Sequence, residues 1–384
     1  MIKKLLIVFL LIFLTGCYDY RELNSIAIIS AESIDYVNGE FLISVQVLNP
    51  QAPEKTTTVQ APFIIYSGTG KTIQEAYLNI TSKTSRDLYA NHLQLLLLSN
   101  EVASNHLDDV IDYYSRNPLI RTEFNVLVIH DENPIGMITP IEEISASSFV
   151  DTININSHNY GTSLCVTFND LLKWYLDPNI EIVLPAIKII ENSDEMNSSE
   201  NTSSSYVKSL YEINGLSLFK NNKIIGYLDK FQTISFNFVR GNIKNTTFSY
   251  ECEKGKYITY EILNSNSKIN ISDKNVIFKF NIYANINESQ CNIDLSNIDT
   301  INKIQNDTSL YFNKFIMDNI SIINKKYSHD VFGLKDYIYK NNHDLYIRIK
   351  DNYDDFYKNL NINIESNFNI ISEGNILGGL NEKN

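Results

Sequence analysis

Between Phe63 and His130 the sequence switches repeatedly between two hydrophobic periods, and this alternation restricts the fold more than any other feature. Phe63 to Tyr66 is a short apolar run. From Thr72 the residues Ile73, Ala76, Tyr77 and Ile80 recur at helical spacing, which predicts an amphipathic helix to about Leu88. Leu93 to Leu98 reads as a near-continuous apolar strand, and Glu101 to Tyr114 as a second helix with Val102, Val110, Ile111 and Tyr114 facing inward. Phe124 to His130 is a further strand. Strands joined through helices are not hairpins, so this β-α-β-α-β order favours an α/β layer with at least some parallel pairing.

The flanking segments extend the pattern. Asn38-Gly39 predicts a hairpin turn leading into a strand at Phe41 to Leu48. A helical stretch is expected from Pro140 to about Tyr175, interrupted near Asn156 to Gly161, followed by a strand at Glu181 to Ile190. Glu191 to Ser205 then holds one apolar residue, Met196, in fifteen, and reads as a linker or exposed loop. Beyond it the reading is β-rich: Ser209 to Phe219, an Asn221-Asn222 turn, Ile224 to Leu228, Thr246 to Glu251, Lys256 to Leu263 and Val276 to Ile286. A long helix is expected from about Asn292 to Lys325, with Ile298, Ile301, Leu310, Phe315, Ile316 and Ile320 as its buried stripe. Helices at Val331 to Lys340 and Tyr353 to Leu360 and an alternating strand at Asn361 to Ile371, closed by Gly374, complete the chain. The expected division is a signal peptide at 1–16, one domain at 17–190, a linker at 191–205 and a second domain at 206–380.

The N-terminus sets the compartment. Lys3 and Lys4 precede an unbroken apolar run of ten residues, Leu5 to Leu14, whereas a bilayer-spanning helix needs about 20 residues. The run therefore reads as a signal peptide. It ends in Leu14-Thr15-Gly16-Cys17, the pattern of a bacterial lipobox, in which small residues admit the peptidase and Cys17 offers its thiol for acylation. Two acyl chains on Cys17 would hold the protein stably on a membrane. No other apolar run is long enough to span. The formal charge of −13 becomes −15 once Lys3 and Lys4 are removed, so anionic headgroups would repel the body and lipid must supply the anchoring. The same acidic balance makes nucleic acid a poor partner.

Candidate chemistry is sparse. Ser67-Gly-Thr-Gly-Lys-Thr72 lies between a strand and a helix as a phosphate loop would, but Ile65 stands where the leading Gly of that motif belongs. The segment reads instead as a Gly turn with Thr72 as helix N-cap. His92, His106, His130, His158, His329 and His343 show no metal-ligand spacing. Glu142-Glu143 diverge on a helix and suit its N-terminal dipole better than paired catalysis, and Ser163 lacks a nucleophile elbow. Tyr113-Tyr114 read as core packing before a ligand pocket. No catalytic, metal or cofactor residue is expected, and the chain is read as non-enzymatic. After Cys17, the cysteines Cys165, Cys252 and Cys291 fit no metal or redox motif; one disulfide is compatible with export, and three free, buried thiols are the favoured expectation.

Gly16-Cys17-Tyr18-Asp19-Tyr20-Arg21-Glu22-Leu23 resembles the mature start of the C-subunit lipoproteins of bacterial spore germinant receptors, the Ger(x)C family, with Tyr18 in place of the usual Trp. The likeness continues through Gly70 to Ala103, with Gly70, Ala76, Arg86, Leu88 and His92 falling suitably, and through Asp112 to Arg121. Asn214 to Asp229, Arg240-Gly241 and Asp330-Val-Phe-Gly-Leu-Lys-Asp336 follow in order. Near the C-terminus the family's Pro and two Trp are absent, and His343, Tyr346 and Phe356 stand in that neighbourhood. The resemblance implies an α+β (mixed α/β) protein of several lobes, as many as three, each a sheet packed with helices. It also implies a lipoprotein on the outer face of the spore inner membrane, in complex with two membrane-spanning receptor subunits, taking part in nutrient-triggered germination. Of functional residues it carries over only Cys17. Arg86, His92 and Arg121 are expected either to meet partners or to form internal ion pairs. The competing readings are a solute-binding lipoprotein of a transporter and an extracytoplasmic wall hydrolase.

Overall fold

The computed structural model describes residues 25–48, 63–130, 146–190 and 210–372. The signal segment and Cys17, Glu142-Glu143, the polar stretch Glu191 to Ser205 and Gly374 lie outside the described residues. Asn38 and Gly39 take φ of 54° and 84°, the left-handed pair that closes a tight hairpin between β1 (Ile26–Val37) and β2 (Glu40–Leu48). The outer edge of β2 receives β3 (Phe63–Gly70), antiparallel. This strand runs through the glycines expected as a turn, because α1 (Ile73–Thr81) folds directly back onto them. An added Cβ would lie 2.5 Å from the Ala76 carbonyl oxygen at Gly68 and 2.4 Å from the Ala76 nitrogen at Gly70, so only glycine admits the helix backbone this close. Thr72 caps α1 as expected: its hydroxyl accepts the Glu75 N–H at 3.1 Å, while the Glu75 carboxylate accepts the Lys71 N–H at 2.9 Å.

The helix ends seven residues before the expected Leu88. The Thr81 and Ser82 hydroxyls donate to the Tyr77 and Asn79 carbonyls, the local competition that makes a Thr-Ser run a poor helix interior. The chain turns instead into β4 (Asp87–Tyr89), parallel to the start of β1. β5 (Leu95–Leu98) leads to two helices where one was expected, α2 (Asn100–Asn105) and α3 (Leu107–Arg116), with His106 ending the first and opening the second. After β6 (Asn125–Ile129) come α4 (Ala146–Ile155), a π-helical turn at Asn156–Tyr160 stopped by Gly161 at φ 64°, and α5 (Phe168–Leu176), whose capping box joins Thr167 and Asp170. β7 (Val183–Ile190), β8 (Leu210–Lys220) and β9 (Lys223–Leu228) follow, the last two joined through Asn221 and Asn222, both at positive φ.

All nine strands form one mixed sheet in the order β3-β2-β1-β5-β6-β7-β8-β9, with β4 beside β1. β1, β5, β6 and β7 are mutually parallel, as the strand-helix alternation predicts. Both faces are covered. Ile29, Ile43, Leu96 and Val126 pack against α1, α3 and α5, while Leu95, Leu97, Leu127 and Ile187 pack against Ile153 and Phe149 of α4.

The remainder opens with α6 (Lys230–Arg240), which the sequence reading missed. Its signals were present: an Asp229-Gln232 capping box and Gly241 as C-cap at φ 70°. β10 (Thr246–Glu253), β11 (Lys256–Ser272) and β12 (Asn275–Ser289) then form a meander, joined by β13 (Asn361–Ser372) parallel to β12. Between β12 and β13 lie α7 (Ile298–Tyr327), α8 (Leu334–Asn341), α9 (His343–Ile349), also unexpected, and α10 (Tyr353–Lys358). The stripe of α7 differs from the expected one. Ile304, Thr308, Phe312, Ile316, Ile320 and Ile323 face the sheet, whereas Ile298 and Leu310 are exposed. Counting from Phe312 along the i, i+4 row fits; counting from Ile298 sets the phase wrong. Two sheets with helices give the mixed α/β class, and the two regions share a core in which Leu216, Leu218 and Leu228 of the large sheet meet Phe238, Phe280 and Phe312.

Cys252 and Cys291 are joined in a disulfide, with Cα atoms 6.5 Å apart, and Cys165 is free. This corrects the favoured expectation of three free thiols: β11 brings residues separated by 39 positions together at one end of the small sheet, a proximity that linear spacing does not reveal.

The close approach of α1 to β3 gives a direct check. Gly70→Ala is expected to destabilise the protein by about 1–3 kcal/mol, since the new methyl meets backbone atoms rather than a movable side chain. Equilibrium urea unfolding measures it, and because Gly70 is not at positive φ the loss reports the clash alone.

Candidate functional site

The residues singled out from the N-terminal matches gather at one end of the large sheet. Thr84 donates its hydroxyl to the Arg86 carbonyl at 2.7 Å, the His92 ring lies 5.9 Å from that of Tyr89, and Arg121 is exposed ahead of β6. Among the described residues none of the three forms an ion pair. His92, Tyr89, Tyr77 and Tyr113, with Asn91 and Asn117, line a groove of about 460 Å³ beside the start of β1. Tyr113 therefore borders a groove, while Tyr114 is core, packed at a tilt against Phe124 and Phe168. Ser163 is fully buried with no partner for its hydroxyl and is out of reach of any substrate. Among the described residues no group of three or more His, Cys, Asp or Glu side chains is arranged to hold a metal.

Behind Tyr77 sits a residue that the sequence reading passed over. Glu32, in the middle of β1 between Val45 of β2 and Leu96 of β5, is completely buried on the face that α1 and α3 cover. A β-bulge at Ser30 sets its orientation, since the extra residue shifts the alternation between Ile29 and Ala31. Burial pushes the Glu32 carboxyl up to about 8; the neighbouring Tyr114 and Tyr77 hydroxyls act weakly against that rise. None of these four oxygens meets hydrogen-bond geometry. Burial, and then the nearby Glu32, raises the phenols of Tyr77, Tyr113 and Tyr114. The two acids Glu32 and Asp35 inside the otherwise uncharged run Ile26 to Val37 were the available signal.

The C-terminal matches converge on the junction of the two sheets. The Tyr327 hydroxyl donates to the Tyr227 carbonyl at 2.7 Å and accepts the Tyr227 N–H at 3.0 Å, fastening the end of α7 to β9. Gly226 leaves room for that ring. Arg240 donates to the Phe332 carbonyl at 3.0 Å beside Gly333, so the Arg240-Gly241 and Asp330 to Asp336 segments are one contact. Asn237, wholly buried on α6, donates to the carbonyls of Gly161 and Ser163 at 2.9 and 2.8 Å. Matched segments thus build the joint between the halves rather than a catalytic cleft.

Because the folded-state pKa of Glu32 is above its ordinary value of 4.5, the folded protein holds a proton that the unfolded chain releases. The stability tied to that proton is complete below about pH 4.5 and is lost as pH rises through about 8. Glu32→Gln is expected to be more stable than the parent above pH 8, by an amount on the order of 4 kcal/mol, with the difference vanishing toward pH 4.5. Thermal melts across this range test it.

Comparison with known proteins fits these segments. Residues 19–189 match the spore germination protein N-terminal domain, and residues 214–374 match the spore germination B3/GerAC-like C-terminal domain. Spore germination protein KC of Bacillus subtilis (strain 168) is 26% identical over 377 residues, covering 93% of this chain and 92% of that protein. Spore germination protein B3 of the same organism is 20% identical over 379 residues, covering 96% of each. The crystal structure of the GerBC protein shares the fold, with a TM-score of 0.50 at 19% identity, over 88% of this chain and 96% of that one. Matched in order through both halves, the chain belongs to the Ger(x)C family of spore germination proteins.

Proposed function

We propose that this protein is the lipid-anchored subunit of a nutrient germinant receptor, acting in spore germination as a binding and assembly component rather than as an enzyme. The observation that carries the reading is the ordered match of both domain families over residues 19–189 and 214–374, directly after a lipobox ending at Cys17. The curated relatives are named for spore germination. Cys17 is the lipid site, and the body lies on the outer face of the spore inner membrane beside two membrane-spanning subunits. Among the described residues no helix is long and apolar enough to cross a membrane, and the mature charge of −15 opposes attraction to anionic lipid. Two acyl chains supply stable attachment, and tethering raises the concentration of the body beside its membrane partners, so a modest interface suffices to hold a complex.

Cys17→Ala is expected to move the protein from the membrane to the soluble fraction and to impair germination triggered by nutrients. Fractionation of spores and loss of optical density on nutrient addition measure the two effects. Retention in the membrane fraction with unchanged germination would overturn the anchoring.

A further inference from the structure

A polar cavity of about 340 Å³ lies where Asn179 and Glu181, ahead of β7, face the segment His329–Asp330 and the start of α10. Two of its lining side chains are deeply buried: His329 and Asp330 each retain only 4% exposure. Asp330 is held firmly on one oxygen, where Oδ2 accepts the Lys335 N–H at 2.8 Å and the Tyr353 hydroxyl at 2.6 Å. Its other oxygen, Oδ1, has no hydrogen-bond partner among the described residues, although it is buried. The His329 Nε2 lies 3.1 Å from Glu181 Oε1, yet neither ring nitrogen makes a hydrogen bond of proper geometry. Buried polar atoms left this way cost about 1–3 kcal/mol each, and the residues that carry them line one cavity.

The charge of the lining selects the ligand. Glu181, Asp330, Asp351, Asp354 and Asp355 supply five carboxylates against the two ammonium groups of Lys335 and Lys350. The Lys335 ammonium is already committed to the Pro178 carbonyl at 2.9 Å. Lys220, from β8, pairs with Asp354 at 2.8 Å, so three ammonium groups stand against five carboxylates and an excess of negative charge remains. An anion would meet repulsion, whereas a group that donates several hydrogen bonds and carries positive charge would satisfy Asp330 Oδ1 and Glu181 together.

We propose that this cavity binds a small organic cation bearing a primary ammonium group, with Asp330 Oδ1 and Glu181 as its acceptors and His329 as the wall between them. The site joins residues from both halves of the chain, since Asn179 and Glu181 precede β7 while His329, Asp330 and Tyr353 follow α7. It is independent of the anchoring argued above.

Calorimetric titration of the full-length, detergent-solubilised protein with n-propylammonium chloride, against matched sodium chloride and sodium propionate, tests this. Saturable binding of propylammonium alone is expected, with a shift of the His329 ring resonances in NMR spectra over the same titration. Asp330→Asn and Glu181→Gln are each expected to weaken binding by about tenfold or more. Glu181 is partly exposed, with 31% of its side chain accessible, so its variant decides the matter if Asp330→Asn fails to fold. Absence of saturable heat, equal binding of propionate, or unchanged affinity in Glu181→Gln would each overturn the proposal.

Discussion

The antiparallel pairing of β7 with β8 holds the molecule together. Residues Val183 to Ile190 bond to Leu210 to Leu218 across the polar stretch in the sequence, so strands from after that stretch become the far edge of a sheet begun at β1. Everything on the C-terminal side depends on this. β8 and β9 supply Leu216, Leu218 and Leu228 to a core completed by α6, the small sheet and α7. Burial of that aromatic-rich core, at about 25 cal/mol per Å² of apolar surface, needs both halves at once. The buried Asn237 amide and the Arg240 guanidinium then lock the joint with hydrogen bonds to backbone carbonyls, which are directional where apolar packing is not.

Much of this was legible in the sequence, and the failures have physical causes. Strands β2, β5, β6, β7 and β13 announce themselves by apolar runs or strict alternation, and the Asn38-Gly39 and Asn221-Asn222 turns carry residues that tolerate positive φ. Helix ends were harder, because Thr81 and Ser82 stop α1 through side-chain bonds that period counting does not register. α6 was missed because Ile234-Ser-Phe-Asn-Phe238 alternates apolar and polar residues as a strand would, and the polar Thr233, Ser235 and Asn237 are buried beside the phenylalanines. The Cys252–Cys291 disulfide depends on the pairing of strands far apart in sequence and had no local signature.

The polar residues that matter most were the least visible. Glu32 looks like any strand carboxylate until the bulge at Ser30 turns it toward α1 and α3. His329 and Asp330 fall inside a matched segment, but their meeting with Glu181 arises only when the two halves close on each other. Candidate binding chemistry here is a product of tertiary contact, whereas the lipid site proposed at Cys17 rests on consecutive residues.

The position of β1 in the sheet carries a mechanical meaning. Ile26 stands nine positions after Cys17, and β1 is bonded along one edge to β2 and along the other to β4 and β5. A tug delivered through a tether ahead of β1 would load those two rows of hydrogen bonds in shear, many at a time, instead of peeling an outer strand one bond after another. Displacement of the attachment point would then reach the body as motion of the whole slab, with the small sheet carried along through β8 and β9, and the chain would behave as a stiff lever rather than a strap that unravels.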